Sequence, residues 1–196
     1  MRNVKMTILF AMLVCCSCVP NAQATTVYDS GGTWDIDFEI YGYVDIYDNV
    51  YGEPTVVNLV DGGLVWDSVQ VYDNSEFNIF GGWIEDYLNT YENSKAYISG
   101  GMVGGGFYVY QNSDLTIEGT GFNYPYGTYT DKLGRLTGTL ANGDPINTIF
   151  YIHQEATMTL VPEAATLLLL GLGTLMLRKK QEILFEGVQN GPVYNS

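Results

Sequence analysis

Tyr72-Asp73-Asn74-Ser75-Glu76-Phe77-Asn78-Ile79-Phe80-Gly81-Gly82 returns 19 residues later as Tyr91-Glu92-Asn93-Ser94-Lys95-Ala96-Tyr97-Ile98-Ser99-Gly100-Gly101. It returns again at the same offset as Tyr110-Gln111-Asn112-Ser113-Asp114-Leu115-Thr116-Ile117-Glu118-Gly119-Thr120. A weaker copy ends at Asp61-Gly62-Gly63, with Thr55-Val56 in place of Asn-Ser. The second half of the unit repeats as well: Leu64-Val65, Trp83-Ile84 and Met102-Val103 follow the glycines, and Val69, Leu88 and Phe107 share one later position. Within each unit Phe77 and Ile79, Ala96 and Ile98, and Leu115 and Ile117 alternate with polar residues, the period of a strand with one buried face. Gly-Gly permits a positive φ at a corner, and Asn-Ser suits the opposite turn, where short polar side chains bond local backbone.

A unit of 19 residues cannot bury its own apolar face, but stacked units can, about 4.8 Å apart as neighbouring strands pair. The pattern predicts an all-β chain. Its centre is a short right-handed parallel β-helix of about four coils over residues 53–128, held by inward Ile and Val stacks and outward Asn ladders. An antiparallel sandwich with degenerate repeats is the rival architecture.

The flanks read as caps. Trp34, Ile36, Phe38 and Ile40 alternate with Asp35, Asp37 and Glu39, and Val44 and Ile46 continue the pattern. These strands are expected to pack on one end of the solenoid through the apolar face of Trp34, Ile36, Phe38 and Ile40, with Asp35, Asp37 and Glu39 facing the other way. Leu136-Thr137-Gly138-Thr139-Leu140, the Asn142-Gly143-Asp144-Pro145 turn and a strand near residues 146–152 are expected to cover the other end, with residues 158–161 leading away. Caps are needed because terminal coils expose strand edges.

The two ends of the chain carry targeting signals. Arg2 and Lys5 precede an apolar run from Met6 to Cys16, and Ala22-Gln23-Ala24 is a small-x-small cleavage site. Residues 1–24 therefore read as a signal peptide, with the mature chain starting at Thr25. Cys15, Cys16 and Cys18 are the only cysteines, so cleavage leaves no disulfide, thiolate metal site or cysteine nucleophile. Leu13-Val14-Cys15-Cys16 loosely resembles a lipobox, with Cys15 where a small residue is usual. At the other end, Val161-Pro162-Glu163 precedes the 14-residue apolar run from Ala164 to Leu177 and the basic cluster Arg178-Lys179-Lys180. The run has no polar face, and the cations behind it suit the cytoplasmic side of a membrane.

Motif, apolar helix and basic cluster in this order resemble the PEP-CTERM sorting signal of Gram-negative bacteria. The resemblance covers residues 161–180. It departs at Ala164, where the family has a second proline, and after Lys180, where residues 181–196 continue as an expected disordered tail. It implies a transmembrane helix, processing by an exosortase-like enzyme near Val161, Pro162 and Glu163, and a link to exopolysaccharide and biofilm. The implied route is export, transient anchoring in the inner membrane, then delivery to the cell envelope or beyond.

Residues 25–160 form the expected ectodomain. From Thr25 to Pro162 there are three cations, Lys95, Lys132 and Arg135, against 19 carboxylates. That imbalance argues against nucleic acid and anionic membrane surfaces as partners. No P-loop, zinc spacing, dinucleotide fingerprint or nucleophile elbow is present in the sequence. His153 is the only histidine and reads as structural. Asp35, Asp37 and Glu39 form the best cation candidate, but alternate strand residues lie roughly 7 Å apart, so calcium would need further oxygens there. A solvated polar face is the plainer reading. Tyr72, Tyr91 and Tyr110 are expected to form an aromatic ladder, structural or open to a sugar. The reading that follows is an exported, non-enzymatic surface or matrix protein with no catalytic, cofactor or metal residues assigned. A carbohydrate-binding or carbohydrate-active β-helix is the alternative, marked by a groove holding two carboxylates about 5–10 Å apart.

Overall fold

The computed structural model describes residues 24–163. Among them there is no helix, and the strands wind into a β-solenoid of about five turns. Each full coil contributes a strand to three walls. The first wall stacks β2 (Gly32–Ile36), β5 (Thr55–Leu59), β8 (Glu76–Ile79), β11 (Lys95–Ile98), β14 (Asp114–Thr120) and β18 (Thr157–Pro162). The second stacks β3 (Glu39–Ile40), β6 (Leu64–Val65), β9 (Trp83–Ile84) and β12 (Met102–Val103). The third stacks β1 (Ala24–Tyr28), β4 (Gly42–Ile46), β7 (Val69–Val71), β10 (Tyr87–Thr90), β13 (Gly106–Val109) and β17 (Pro145–Ile152). Within every wall the neighbours pair in parallel.

The period-2 pattern of the repeat becomes columns of inward side chains. On the first wall Val57, Phe77, Ala96, Leu115 and Met158 are register partners, as are Ile36, Leu59, Ile79, Ile98, Ile117 and Leu160. All are buried. Phe77 is followed by Ala96, so a large ring is accommodated by a small neighbour on the next coil. Each fully buried aliphatic of this kind is worth about 1.5–3 kcal/mol.

The solenoid is longer than the repeat suggested. The stretch expected to cap its N-terminal end is itself a coil, formed by β2, β3 and β4, each paired in parallel with the next coil. A corner at Asp37-Phe38 breaks the strict alternation, so Ile36 and Ile40 are buried while Phe38 is 52% exposed; Trp34, in register with buried Val57, is 45% exposed because β2 is the terminal strand of its wall. The strand–strand offsets here are 23 to 25 residues, so this coil falls outside the 19-residue period. The pairing of β5 with β8 is offset by 20, aligning Thr55 rather than Val56 with Ser75. The slip is absorbed at the next corner, where Val60-Asp61-Gly62-Gly63 faces Phe80-Gly81-Gly82.

At the other end the chain leaves the spiral after β14 and returns 43 residues on, where Leu115 pairs with Met158 and Phe107 with Phe150. Thr157–Pro162 is therefore a rung of the last coil, not an exit segment. The intervening residues form β15 (Gly127–Tyr129), antiparallel to β18, and β16 (Lys132–Leu140), antiparallel to β17. Leu136–Leu140 is thus a cap as expected, whereas residues 146–152, also expected to cover this end, belong to β17, a rung of the third wall paired in parallel with β13. β15 covers the edge of the first wall at β18 and β16 that of the third wall at β17, the arrangement that stops strand edges pairing with other chains. No helix among the described residues is long and apolar enough to cross a membrane. The signal peptide up to residue 23, the apolar run, Arg178, Lys179, Lys180 and the tail lie outside the described residues.

The Gly-Gly corner is where sequence identity is forced. Gly101 has φ of 75°, and a Cβ there would sit 2.4 Å from the Gly81 carbonyl oxygen of the previous coil. Gly52 has a similar φ of 77° with nothing within 4 Å of the added atom. Gly101→Ala should therefore lower stability by several kcal/mol, and Gly52→Ala by only about 1–2 kcal/mol of left-handed strain. Urea midpoints of the two variants measure the difference; equal losses would mean the corner is not sterically limited.

Candidate functional site

The turn joining the third wall to the first is built from Tyr-x-Asn-Ser. Ser75, Ser94 and Ser113 donate their backbone N–H to the carbonyls of Tyr72, Tyr91 and Tyr110, closing three superposed turns. The second residue of each, Asp73, Glu92 or Gln111, holds a positive φ of 54–59°. This costs non-glycine residues strain, and hydrogen bonds from coil to coil accompany it. The Glu92 carboxylate accepts the Asp73 N–H at 3.2 Å, and the Gln111 side-chain oxygen accepts the Glu92 N–H at 2.5 Å. The Asp73 carboxyl beside Glu92 holds the Glu92 carboxyl above its ordinary range.

The serines point inward and are buried together with Thr55. Ser113 donates to the Tyr110 carbonyl at 2.7 Å and meets Thr90 Oγ1 at 2.9 Å, satisfying two polar groups inside the core. The outward Asn ladder lies elsewhere than on the turn: Asn78 donates to Asn58, and Asn58 to Asp35, along the first wall.

Tyr72, Tyr91 and Tyr110 do form a ladder, and it extends at both ends. Tyr47 stacks on Tyr72 at 4.6 Å, Tyr72 on Tyr91 at 4.9 Å and Tyr91 on Tyr110 at 5.2 Å, all within 10° of parallel. The next rung is His153, 6.5 Å from the Tyr110 ring, in a turn that Ala156 N–H closes onto the His153 carbonyl. His153-Gln154-Glu155-Ala156 is the Tyr-x-Asn-Ser turn of the last coil, displaced by the insertion. Because Tyr72 and Tyr91 each carry a parallel ring on both faces, the middle of the ladder offers edges and not faces to a ligand. Burial pushes the phenols of Tyr72, Tyr91 and Tyr110 up, and Tyr97 on the first wall is pushed to about 12 by burial and by its hydrogen bond to Glu118.

A groove of about 440 Å³ runs over the outer face of the first wall, with Thr128 on β15 forming one bank. Glu76, Lys95 and Asp114 are register partners on its floor. The two carboxylates thus belong to coils two apart, roughly 10 Å at the backbone. Lys95 lies 4.0 Å from Glu76, and Thr157 donates to Asp114.

The chain matches no known protein family, no curated protein and no solved structure.

The other sequence-derived candidates are separated by the fold. Asp35 sits on the first wall and accepts from Asn58, whereas Glu39 lies beyond the corner on the second wall and accepts from Tyr41. No group of three or more acidic, histidine or cysteine side chains suited to a metal is found among the described residues. Val161 and Pro162 end β18, opposite Glu118 and Gly119, and Glu163 N–H bonds the Gly119 carbonyl. Pro162 lies past the last residue that β15 pairs with, so its missing N–H falls on an open edge. Ala24 is the first residue of β1, while Ala22 lies outside the described residues.

Beside the Tyr47–Tyr72 end of the ladder, Asp45 Oδ1 is buried without a hydrogen-bond partner, and desolvation raises the Asp45 pKa. A carboxyl with a raised folded pKa contributes stability below its unfolded pKa and loses it as pH rises through the folded value. Asp45→Asn should therefore raise the melting temperature at pH 7 and leave it little changed near pH 3. Calorimetry at the two pH values checks this, and equal shifts at both would mean the carboxylate charge is not the penalty.

Proposed function

We propose that this chain is an exported, non-enzymatic surface or extracellular-matrix protein, a stiff acidic β-helix associated with exopolysaccharide. In this reading the coils wind right-handed, the hand that parallel strand–crossover–strand units adopt. Residues 1–24 are removed on export. The segment 161–180 anchors the chain in the inner membrane until an exosortase-like enzyme acts near Val161, Pro162 and Glu163. The observation that supports the structural role is where the outer polar and aromatic groups are engaged. The Tyr47–Tyr72–Tyr91–Tyr110 stack, the Asp35–Asn58–Asn78 chain and the Asp73–Glu92–Gln111 column each bind one coil to the next. Such a surface stiffens the rod rather than converging on a substrate. The pairing of Val161 and Pro162 with β14 adds a constraint: an enzyme cutting there must meet the chain before β18 docks, or peel its end away. Intact mass of the protein from envelope and supernatant of the native host tests the reading. A C-terminus near residues 161–163 and an N-terminus at Thr25 are expected; a product ending at Ser196 would overturn the sorting.

One observation favours a carbohydrate-active reading, the carboxylates Glu76 and Asp114 facing each other across Lys95 in the first-wall groove. Their spacing approaches that of inverting glycosidases. Both carboxylates are already engaged, however, by Lys95 and Thr157. Reducing-end release from neutral polysaccharides should be undetectable in the wild-type protein; release abolished by Glu76→Gln or Asp114→Asn would establish the enzyme instead.

A further inference from the structure

The second wall presents a surface that the ladder and the groove do not use. Its strands are only two residues long, and their outward positions form two columns: Glu39, Leu64, Trp83 and Met102 in one, and Tyr41, Trp66, Glu85 and Gly104 in the other. Four of these residues make a diagonal strip, one per coil: Tyr41, Trp66, Trp83 and Met102. They are 69%, 41%, 41% and 52% exposed. Ring centroids are 5.9 Å apart for Tyr41 and Trp66 and 6.5 Å for Trp66 and Trp83. Tyr41 and Trp66 stack within 8° of parallel and each covers one face of the other, whereas the indoles of Trp66 and Trp83 are tilted by 42° and do not close each other's faces. The strip ends at a cleft of about 210 Å³ formed by Trp83, Met102, Gly82, Gly101, Asp144 and Pro145.

Contiguous exposed apolar surface on a rigid sheet marks an interaction site. The charges around the strip define what fits. Glu39, Glu85 and Asp86 border it, all exposed. None of the three cations of the described residues is on this wall, since Lys95 is on β11 and Lys132 and Arg135 are on β16. An anionic partner would be repelled. A ligand with flat apolar faces repeating along one axis and hydroxyls at its margins matches both features. Its faces stack on the rings, and its hydroxyls donate to the carboxylates. A four-coil strip is roughly 14 Å long, enough for a short run of units. We infer that Tyr41, Trp66, Trp83 and Met102 form a binding platform for a neutral polysaccharide. This rests on the proposed association with exopolysaccharide, and it names the surface and the chemical class of that association.

Native-gel affinity electrophoresis of the protein recovered from the native host tests the platform independently of how the chain is sorted. The gels would contain hydroxyethyl cellulose, galactomannan or, as the anionic comparison, alginate. A neutral polymer should retard the wild-type protein and alginate should not. Trp66→Leu and Trp83→Leu should each weaken retardation about tenfold. Leucine at position 83 is compatible with the fold, because Leu64 and Met102 are its register neighbours. Tyr51→Ala, at a loop residue 88% exposed, should have no effect. Absence of retardation by both neutral polymers, or retardation unchanged in folded Trp66→Leu/Trp83→Leu protein, would overturn the platform. So would a wild-type dimer, seen by light scattering, that the tryptophan substitutions dissociate without altering retardation; the strip would then join copies of this chain.

Discussion

Parallel pairing of each coil with the next is the constraint on which everything else rests. Every strand of the solenoid finds its backbone partners in another coil, so no coil can close its hydrogen bonds alone. Once the backbone register is set, side chains at equivalent positions are held one strand spacing apart, and like meets like up the stack. The aliphatic columns inside and the tyrosine stack, amide chain and carboxyl–amide column outside are consequences of the same ladder. Two costs come with it. Glycine is required at the corner where Gly101 approaches Gly81, and Asp73, Glu92 and Gln111 are held at positive φ.

The core of this architecture was legible because the 19-residue offset is kept without insertion from β6 to the start of β14, and identity is kept at the turn. Legibility failed where spacing varied rather than where chemistry did. The first coil has offsets of 23 to 25, so Trp34–Ile40 looked like a lone amphipathic strand. A single strand would place Trp34, Ile36, Phe38 and Ile40 on one face; the corner after Ile36 turns Phe38 out instead, and Trp34, though in register with buried Val57, lies on the terminal edge strand. The last coil was hidden by the insertion carrying β15 and β16. Its turn, His153-Gln154-Glu155-Ala156, keeps only Gln154 from the Tyr110 turn, so nothing in the sequence marks His153 as the continuation of the tyrosines.

The surface sites divide along the same line. The tyrosine ladder could be read from the sequence because one residue type recurs at one position. What could not be read was that recurrence itself removes the ladder from ligand binding, since stacked rings cover each other's faces. The strip on the second wall gave no such signal: Tyr41, Trp66, Trp83 and Met102 differ from coil to coil and cross from one outward column to the other. The same break in repetition tilts Trp83 by 42° from Trp66, where the tyrosines of the turn stay parallel, although Tyr41 still stacks on Trp66. In a solenoid, then, repeated outward residues tend to bind coil to coil, and a binding surface is better sought where the repeat changes identity but the side chains stay large.

The ends of the solenoid differ in a way that bears on how it is used. At the C-terminal end β15 and β16 run antiparallel along β18 and β17, so further coils cannot add there. At the other end β1, β2 and β3 have no partner on their outer side among the described residues. Of these, β2 and β3 carry Asp35 and Glu39, with Asp37 at the corner between them, charges of the kind that protect an edge from pairing. β1, Ala24-Thr25-Thr26-Val27-Tyr28, carries none. Acidic repulsion over most of this end and antiparallel strands over the other both oppose end-to-end stacking of coils. That leaves the lateral faces for contacts of the solenoid, and on the second wall Tyr41, Trp66, Trp83 and Met102 form a contiguous row of large, exposed side chains, one per coil.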